Sequence, residues 1–200
     1  MLDDLRVSIG ESLSDFRFSH TLGVERMAQR LALILAPEKE KKLRVAALLH
    51  DATKEKRADE HIAICAHYAY DLRDDERSSP AILHAVTASL IIPDEYPEFA
   101  DSEIISAVRW HTTGKENMSV CDKIIYLADY IEDTRMYDDC IALREEFFGA
   151  EPEKMTEEQR MRHLDRVILH SLEITVNDLA SRGHEICLDT LRAKNFLEKQ

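Results

Sequence analysis

His50 and Asp51 place an imidazole and a carboxylate side by side, two donor types that bind divalent metal ions. They follow an apolar, helix-like run over residues 43–49. Neighbouring side chains on a helix point about 100° apart, so both groups can border one pocket from slightly different directions. An isolated His20 precedes the pair and an isolated Asp129 follows it. This order of donor types predicts a metal site.

Two further histidines, His84 and His111, lie in apolar segments between the pair and Asp129. A single histidine in such a segment is usually a hydrogen-bonded core residue. Asp129 is harder to explain in that way, because no Lys or Arg lies three or four residues away and an unpaired buried carboxylate is costly. Imidazoles and carboxylates together suit Fe, Mn or Zn and are too rich in nitrogen for Ca or Mg. The donor set therefore favours a transition metal.

The remaining five histidines lie among charged or mixed residues, which indicates packing or solvent-facing positions. They are His61, His67, His163, His170 and His184.

The net charge of −13 disfavours a surface for long DNA or RNA, because phosphate contacts would have to overcome the negative field of the protein. A small anionic substrate is compatible with this charge if a few cations line one pocket. The candidate cations fall close in sequence to the acids and histidines above: Arg17, Lys54, Arg109 and Arg135.

We expect neither a targeting segment nor a membrane span in this sequence. No run approaches the roughly 20 apolar residues of a membrane span, and the N-terminus lacks a basic region followed by an apolar stretch. The 4 cysteines are scattered without a C-x-x-C pair, which indicates reduced thiols. We expect a cytoplasmic protein that does not contact a membrane.

Helical periodicity covers almost the whole chain, and no stretch shows convincing strand alternation. Apolar residues recur at helical spacing over 22–35, and Pro37 is predicted to end this helix. Further helices are predicted over 43–49 and 59–70. Residues 93–97 are predicted to form a loop. Gly114 is predicted to lie in a turn after the helix that ends at His111. The pattern predicts one all-α domain over residues 1–200.

Four helix starts carry capping signals. They are Ser79 with Pro80, Asp101, Ser119 with Asp122, and Thr156 with Gln159. The first three begin helical segments, which carry His84 and Asp129 within them and His111 at an end. The fourth begins a long final helix that ends near Gly183, after which a short terminal helix is predicted.

The strings around the candidate residues resemble a known family. They are RFSHTLGV around His20, AALLHDATK around His50 and Asp51, ILHAVTAS around His84, AVRWHTTGKENMS around His111 and KIIYLADYIEDTR around Asp129. The order of metal-binding types resembles the HD-domain metal-dependent phosphohydrolase superfamily, an all-α helical bundle. The full set of strings resembles the bacterial YqeK-type family of symmetrical diadenosine tetraphosphate hydrolases. The similarity is strongest over about residues 17–144, with the C-terminal helices of 155–200 expected to pack on that part.

The resemblance implies a role for each site residue. The metal ligands are His20, His50, Asp51 and Asp129, and His84 and His111 either line the phosphate channel or hold a second metal. The catalytic residues are Asp51 and Lys54. The implied substrate contacts are Arg17, Asp51, Lys54, His84, His111, Thr112, Asp129 and Arg135.

The resemblance implies Fe as the metal, with Mn, Zn or another divalent ion as alternatives. A water activated by that metal is expected to attack a central phosphate of diadenosine tetraphosphate and release two ADP. Two local features depart from the family pattern: Thr53, where a small residue is usual, and the insert DEYPEF before Asp101, which is expected to reshape the pocket rim.

Three other functions are compatible with the same residues. The first is another HD-type activity, such as a nucleotidase or a guanosine-tetraphosphate hydrolase, because the metal ligands alone do not read a base or a chain length. The second is a nucleotide sensor that binds without turnover. The third is a helical scaffold whose histidines are all core residues, which predicts no metal. A homodimer through the apolar C-terminal helix is a further expectation.

Overall fold

The computed structural model describes residues 2–200, which contain eleven α-helices and no β-strand. The helices are α1 (Leu2–Ser12), α2 (Asp15–Leu35), α3 (Glu40–Leu49), α4 (Ala58–His67), α5 (Asp74–Arg77), α6 (Leu83–Glu95), α7 (Ser102–Trp110), α8 (Val120–Ile131), α9 (Asp138–Gly149), α10 (Glu157–Ser181) and α11 (Leu188–Leu197). Short 3-10 turns cover Pro37–Lys39, Pro80–Ile82, Pro97–Phe99 and Pro152–Lys154. The predicted all-α fold is confirmed.

Three of the four predicted capping signals begin helices as expected. The Asp101 carboxylate accepts a hydrogen bond from the backbone N–H two residues on, at the start of α7. Ser119 and Asp122 form both halves of a capping box at α8, and Thr156 and Gln159 do the same at α10. These bonds satisfy N–H groups that a helix start otherwise leaves without partners.

The two ends of α6 differ from the prediction. Ser79 makes no capping hydrogen bond, because its backbone angles of φ −120° and ψ 69° are far from the extended geometry of a capping residue. A 3-10 turn follows it, and α6 begins only at Leu83. At the other end α6 continues through Pro93 to Glu95, so the predicted loop over 93–97 is wrong for its first part. Pro93 lies in the last turn, where its ring costs the helix a single backbone hydrogen bond.

One apolar core holds the helices that carry the site. Helix α2 packs against α3 and α8, and α7 packs against α3, α6 and α8. Leu31 of α2, Leu48 of α3, Val108 of α7 and Leu127 of α8 are all 0% exposed within it. Burial of such a side chain stabilises the fold by about 1.5–3 kcal/mol, so these four helices are held in fixed positions. Helix α10 covers the core from the side of α8 and α9, and α11 packs on α10.

Arg109 belongs to the scaffold. Its guanidinium is buried and forms an ion pair with the buried carboxylate of Glu76, and it also donates to the Tyr70 hydroxyl at 3.2 Å. The pair joins α7 to α5. Arg109 was one of the four candidate cations for a substrate pocket, but these bonds occupy it elsewhere.

No helix within residues 2–200 has the length and apolar character needed to cross a bilayer.

Candidate active site

Five helices place the six predicted histidines and aspartates in one cluster. His20 lies on α2, His84 on α6 and Asp129 on α8, while His50 with Asp51 directly follows α3 and His111 directly follows α7. All are buried except Asp129, whose side chain is 18% exposed. The common core of α2, α3, α7 and α8 fixes where these groups meet.

The first half of the cluster is formed by His20, His50 and Asp129. The Oδ1 atom of Asp129 lies 3.0 Å from Nε2 of His20 and 3.8 Å from Nε2 of His50. The Nδ1 atom of His50 donates to the Ala47 carbonyl at 2.6 Å, because a carbonyl oxygen can only accept. Nε2 of the neutral ring therefore presents its lone pair to the cluster. Neither buried Nε2 atom has a hydrogen-bond partner in the described residues.

This geometry fits a divalent metal ion. The donor atoms of His20, His50 and Asp129 all lie within 4.8 Å of one another. Ligand atoms about 2.0–2.2 Å from one metal are about 3–4 Å apart, and the distances of 3.0 and 3.8 Å from Oδ1 of Asp129 to the two imidazole nitrogens lie in this range. A buried nitrogen without a partner is costly, and coordination removes that cost. The residues present therefore suit the metal that the sequence predicts.

Asp51 faces both halves of the cluster. Its Oδ2 atom lies 3.5 Å from Nε2 of His50 and 3.8 Å from Nε2 of His20. Its Oδ1 atom lies 3.3 Å from Nε2 of His84 and 3.8 Å from Nε2 of His111. These last two nitrogens are 3.0 Å apart. One carboxylate thus stands between two pairs of imidazoles.

Two arginines border the carboxylates. Arg17 donates from Nη1 to Oδ2 of Asp51 at 2.8 Å, and Arg135 donates from Nη2 to Oδ1 of Asp129 at 2.7 Å. Asp129 therefore does have a neutralising partner, although none lies three or four residues away from it in the sequence. The chain turns after α8, and Arg135 returns to the carboxylate from six residues further on.

Lys54 and Thr112 meet at His84. The Nζ atom of Lys54 lies 3.1 Å from Nε2 of His84 and 4.0 Å from Oδ1 of Asp51. The hydroxyl of Thr112 lies 3.2 Å from the same His84 nitrogen. The structure thus brings into one region all the metal-binding and substrate-contacting residues that the family resemblance implies, whereas the candidate cation Arg109 lies elsewhere.

The electrostatics of the histidines divide the cluster. Burial lowers the pKa of His50 and His84, and lowers that of His111 to about 4. Burial acts in the same direction on His20, but the neighbouring carboxylates of Asp129 and Glu132 outweigh it and raise the pKa of His20 to about 9. Three of the rings are therefore neutral at pH 7 and available as ligands. Asp129 and Glu132 favour the protonated form of His20, and a metal ion bound by His20 and Asp129 would displace that proton.

Glu132 is a supporting residue that the sequence did not reveal. Its side chain is 0% exposed, and Oε1 accepts from Nδ1 of His20 at 3.1 Å. The same carboxylate accepts from the backbone N–H and the hydroxyl of Thr134. A carboxylate on the far nitrogen of a metal-binding histidine fixes the tautomer and the ring orientation. Glu132 thus holds His20 with its Nε2 atom towards the cluster.

Replacing Glu132 with Ala should weaken metal binding by about 10- to 100-fold, the usual effect of removing such a partner. His20 would lose the acceptor that orients its ring. Glu132→Gln keeps an acceptor oxygen and should have a smaller effect. Titration of metal into chelator-treated protein, followed by metal analysis, measures this. Equal affinity in the Ala variant and the wild type would show that Glu132 only packs.

The carboxylate of Glu132 occupies the space that a side chain at position 23 would need, and Gly23 has none. A Cβ atom added to Gly23 would lie well inside van der Waals contact of Oε2 of Glu132. The carboxylate cannot move freely away, because His20 and Thr134 both hold it. We expect Gly23→Ala to weaken metal binding in the same direction as Glu132→Ala, and to lower the melting temperature. Gly149→Ala, where nothing lies within 4 Å of the new Cβ, is the matched control.

The two departures from the family pattern have different positions. Thr53 is buried, and its hydroxyl donates to the backbone carbonyl of His84 at 2.9 Å, so it does touch a site residue through the main chain. Residues 94–99 line neither of the two pockets that border the cluster. Several of them lie instead in a shallow pocket beside α1. The expectation that this insert reshapes the pocket rim finds no support in this placement.

Two openings border the cluster. One is a cleft of about 530 Å³ that includes Arg17, His20 and Arg135. The other is a pocket of about 330 Å³ that includes Lys54 and His84. Each opening thus reaches one of the two imidazole pairs that Asp51 faces.

The chain is similar to known proteins over most of its length. The HD domain family matches residues 17–134. The symmetrical bis(5'-nucleosyl)-tetraphosphatase of Halalkalibacterium halodurans is 31% identical over 185 residues, covering 92% of this chain and 90% of the relative. The Bacillus subtilis protein of the same name is 27% identical over 189 residues, covering 94% and 93%. A crystal structure described as a predicted HD superfamily hydrolase involved in NAD metabolism, from Clostridium acetobutylicum, has a TM-score of 0.86 at 30% identity, covering 100% of this chain and 97% of that one.

Proposed function

The chain belongs to the HD domain family, and on this premise we propose that it hydrolyses diadenosine tetraphosphate symmetrically, releasing two ADP. The resemblance stated from the sequence is confirmed by the family match. The observation that carries the proposal is the pair of buried imidazole nitrogens without partners, which meet two carboxylates beside Arg17, Lys54 and Arg135. Relatives named symmetrical bis(5'-nucleosyl)-tetraphosphatase, similar along most of the chain, support this substrate.

We propose the metal ligands from the donor set. His20, His50, Asp51 and Asp129 would hold the ion, and His84 and His111 would either line the phosphate channel or hold a second one. When bound, a divalent metal lowers the pKa of water towards neutrality and offsets negative charge that develops at phosphorus. We propose iron as the native metal, with manganese, zinc or another divalent ion as alternatives, because the nitrogen and oxygen donors suit these ions.

The cations of the site position the polyphosphate. Arg17 and Arg135 carry a permanent charge and a planar fork of donors that matches phosphate oxygens. Arg17 and Arg135 each donate one N–H group, to Asp51 and Asp129 respectively, so further donors of both guanidinium groups remain for phosphate. Lys54 lies on the other side of Asp51 and can neutralise charge on the leaving phosphate. His84, His111 and Thr112 complete the wall beside it.

The arrangement of the openings supports cleavage at the centre of the substrate. The cleft at His20 and the pocket at His84 lie on the two halves of the cluster, and Asp51 faces both. A molecule with two similar ends can place one end in each opening, which leaves its central phosphates at Asp51. Two ADP are the expected products.

We also propose that residues 1–200 form a single domain of a cytoplasmic protein. Its four cysteines are free and buried, as reduced thiols are in that compartment. The expected partner is a small dinucleoside polyphosphate, with neither long nucleic acid nor membrane. A homodimer stays a prediction, and light scattering tests it by measuring the molar mass in solution.

The test is anaerobic incubation of the Fe(II)- or Mn(II)-loaded protein with diadenosine tetraphosphate, followed by chromatography of the nucleotides. ADP as sole product is the expected result, with chelator-treated protein as the control. AMP with ATP would mean asymmetric cleavage. Turnover of mononucleotides or guanosine tetraphosphate instead would identify another HD-type hydrolase. Nucleotide binding without turnover would identify a sensor.

A further inference from the structure

An exposed apolar surface beside the cluster has no part in the chemistry above. Among residues 2–200, seven large hydrophobic side chains are exposed, and three of them line the cleft of about 530 Å³. Phe16 is 79% exposed, Met136 72% and Tyr137 70%. Single exposed hydrophobic side chains are ordinary on a protein surface. Three in one concave site, with two of them aromatic, indicate a binding surface.

The Phe16 side of this surface is joined to the cluster by Arg17. The Nη1 atom of Arg17 lies 2.8 Å from Oδ2 of Asp51, and its guanidinium carbon lies 6.0 Å from the centre of the Phe16 ring. One side chain thus contacts a site carboxylate and lies beside the exposed ring. A group bound on Phe16 would have a cation next to it and the cluster just beyond.

The opposite side of the cleft repeats this order of groups. Arg135 donates to Asp129 at 2.7 Å, and the next two residues along the chain are Met136 and Tyr137. Both lie in the turn between α8 and α9 and line the same cleft as Phe16. The cleft therefore has cations where it meets the cluster and apolar side chains further out.

We propose that Phe16, Met136 and Tyr137 form the subsite for one adenine base of the substrate. The proposal rests on the proposed function. A nucleotide has the polarity of this cleft, with an anionic polyphosphate at one end and a flat apolar base at the other. Aromatic faces stack on bases with little dependence on base identity, and a flexible thioether packs readily on an aromatic ring.

The second opening lacks such a surface. The pocket at His84 is lined by Lys54, Lys56, Ala58 and Pro80 among others, and includes no aromatic side chain besides histidine. The two identical halves of the substrate therefore meet different surfaces. One adenine is stacked in the cleft, and the other half is held mainly through its phosphates by lysines.

The experiment compares the Mn(II)-loaded wild type with Phe16→Ala, Tyr137→Ala and the double variant. ADP binding is measured by calorimetry, and kcat and KM are measured with diadenosine tetraphosphate. We expect about 10-fold weaker ADP binding in each single variant and about 100-fold in the double variant. KM should rise with kcat nearly unchanged, because the lost contact is made equally in the ground state and the transition state. Phe16→Trp should restore ADP affinity.

Two controls separate the base from the phosphates and from general damage. Inorganic tripolyphosphate should bind the double variant as it binds the wild type, because the arginines are intact. Leu33→Ala and Ile62→Ala remove exposed hydrophobic side chains outside the cleft and should change nothing.

Unchanged ADP affinity in the double variant would overturn the subsite, even if the protein hydrolyses diadenosine tetraphosphate. Equal weakening of ADP and tripolyphosphate would overturn it as well, as would a wild type that binds no ADP. A dimer that the double variant converts to monomer, with ADP affinity unchanged, would assign the surface to a second copy of the chain. A wild type that binds ADP through Phe16 and Tyr137 without hydrolysing the dinucleotide would uphold the subsite and reject the proposed function.

Discussion

Asp51→Asn should lower kcat/KM for diadenosine tetraphosphate by at least about 1,000-fold, which corresponds to losing several kcal/mol of transition-state stabilisation. The substitution replaces a charged oxygen with an amide in a group that faces four imidazoles. It also removes the anion that Arg17 pairs with. Metal analysis of the purified variant should show a matching loss of bound metal.

The side chains of Asn and Asp are nearly equal in size, so the fold should survive this change. Circular dichroism of the variant checks that it does. Asp71→Asn is the matched control, because that carboxylate is fully exposed and lies outside the site. Wild-type turnover by Asp51→Asn with full metal content would refute the assigned role. Absence of metal from both proteins would favour a helical scaffold instead.

Lys54→Met should lower kcat by about 100-fold or more, as the loss of one well-placed cationic or hydrogen-bond donor does in other enzymes. Its ammonium lies 4.0 Å from Oδ1 of Asp51 and 3.1 Å from His84, yet an ammonium cannot coordinate a metal. We therefore expect the metal content to stay at the wild-type level. The separation of activity from metal content distinguishes Lys54 from the ligands.

The control for Lys54 is Lys41→Met, an exposed lysine on α3. Steady-state kinetics and metal analysis on both variants give the comparison. If Lys54→Met behaves like Lys41→Met, Lys54 is a surface lysine. If it loses metal, the substitution has disturbed the cluster, and the catalytic assignment fails.

The sequence was sufficient to predict the six clustered residues because their chemistry is unusual for their surroundings. A histidine or an aspartate in an apolar helical segment needs a reason, and several in one chain suggest a shared one. Glu132 offered no such signal. It precedes Asp133, whose side chain is 67% exposed, and nothing in the local sequence distinguishes the two acids. Only the packing of α2 against α8 brings His20 to Glu132.

The helix boundaries show the same contrast between local and distant causes. The starts of α7, α8 and α10 were predictable because a capping side chain bonds to N–H groups within three residues of itself. The ends of α6 were not, because prolines 80 and 93 permit either a helical or a non-helical path. Buried contacts decide between the paths: Ile92, beside Pro93, is 0% exposed in the core.

The spread of the ligands along the chain, from position 20 to position 129, has a consequence for folding kinetics. These groups lie on or directly after separate helices, so they can meet only after α2, α3 and α8 have docked. Contacts between distant parts of the chain form late in folding. A metal ion should therefore slow unfolding strongly and leave the refolding rate almost unchanged, since its contacts are absent from the transition state. Stopped-flow chevrons of Mn(II)-loaded and chelator-treated protein would show the two unfolding limbs separated and the refolding limbs superimposed.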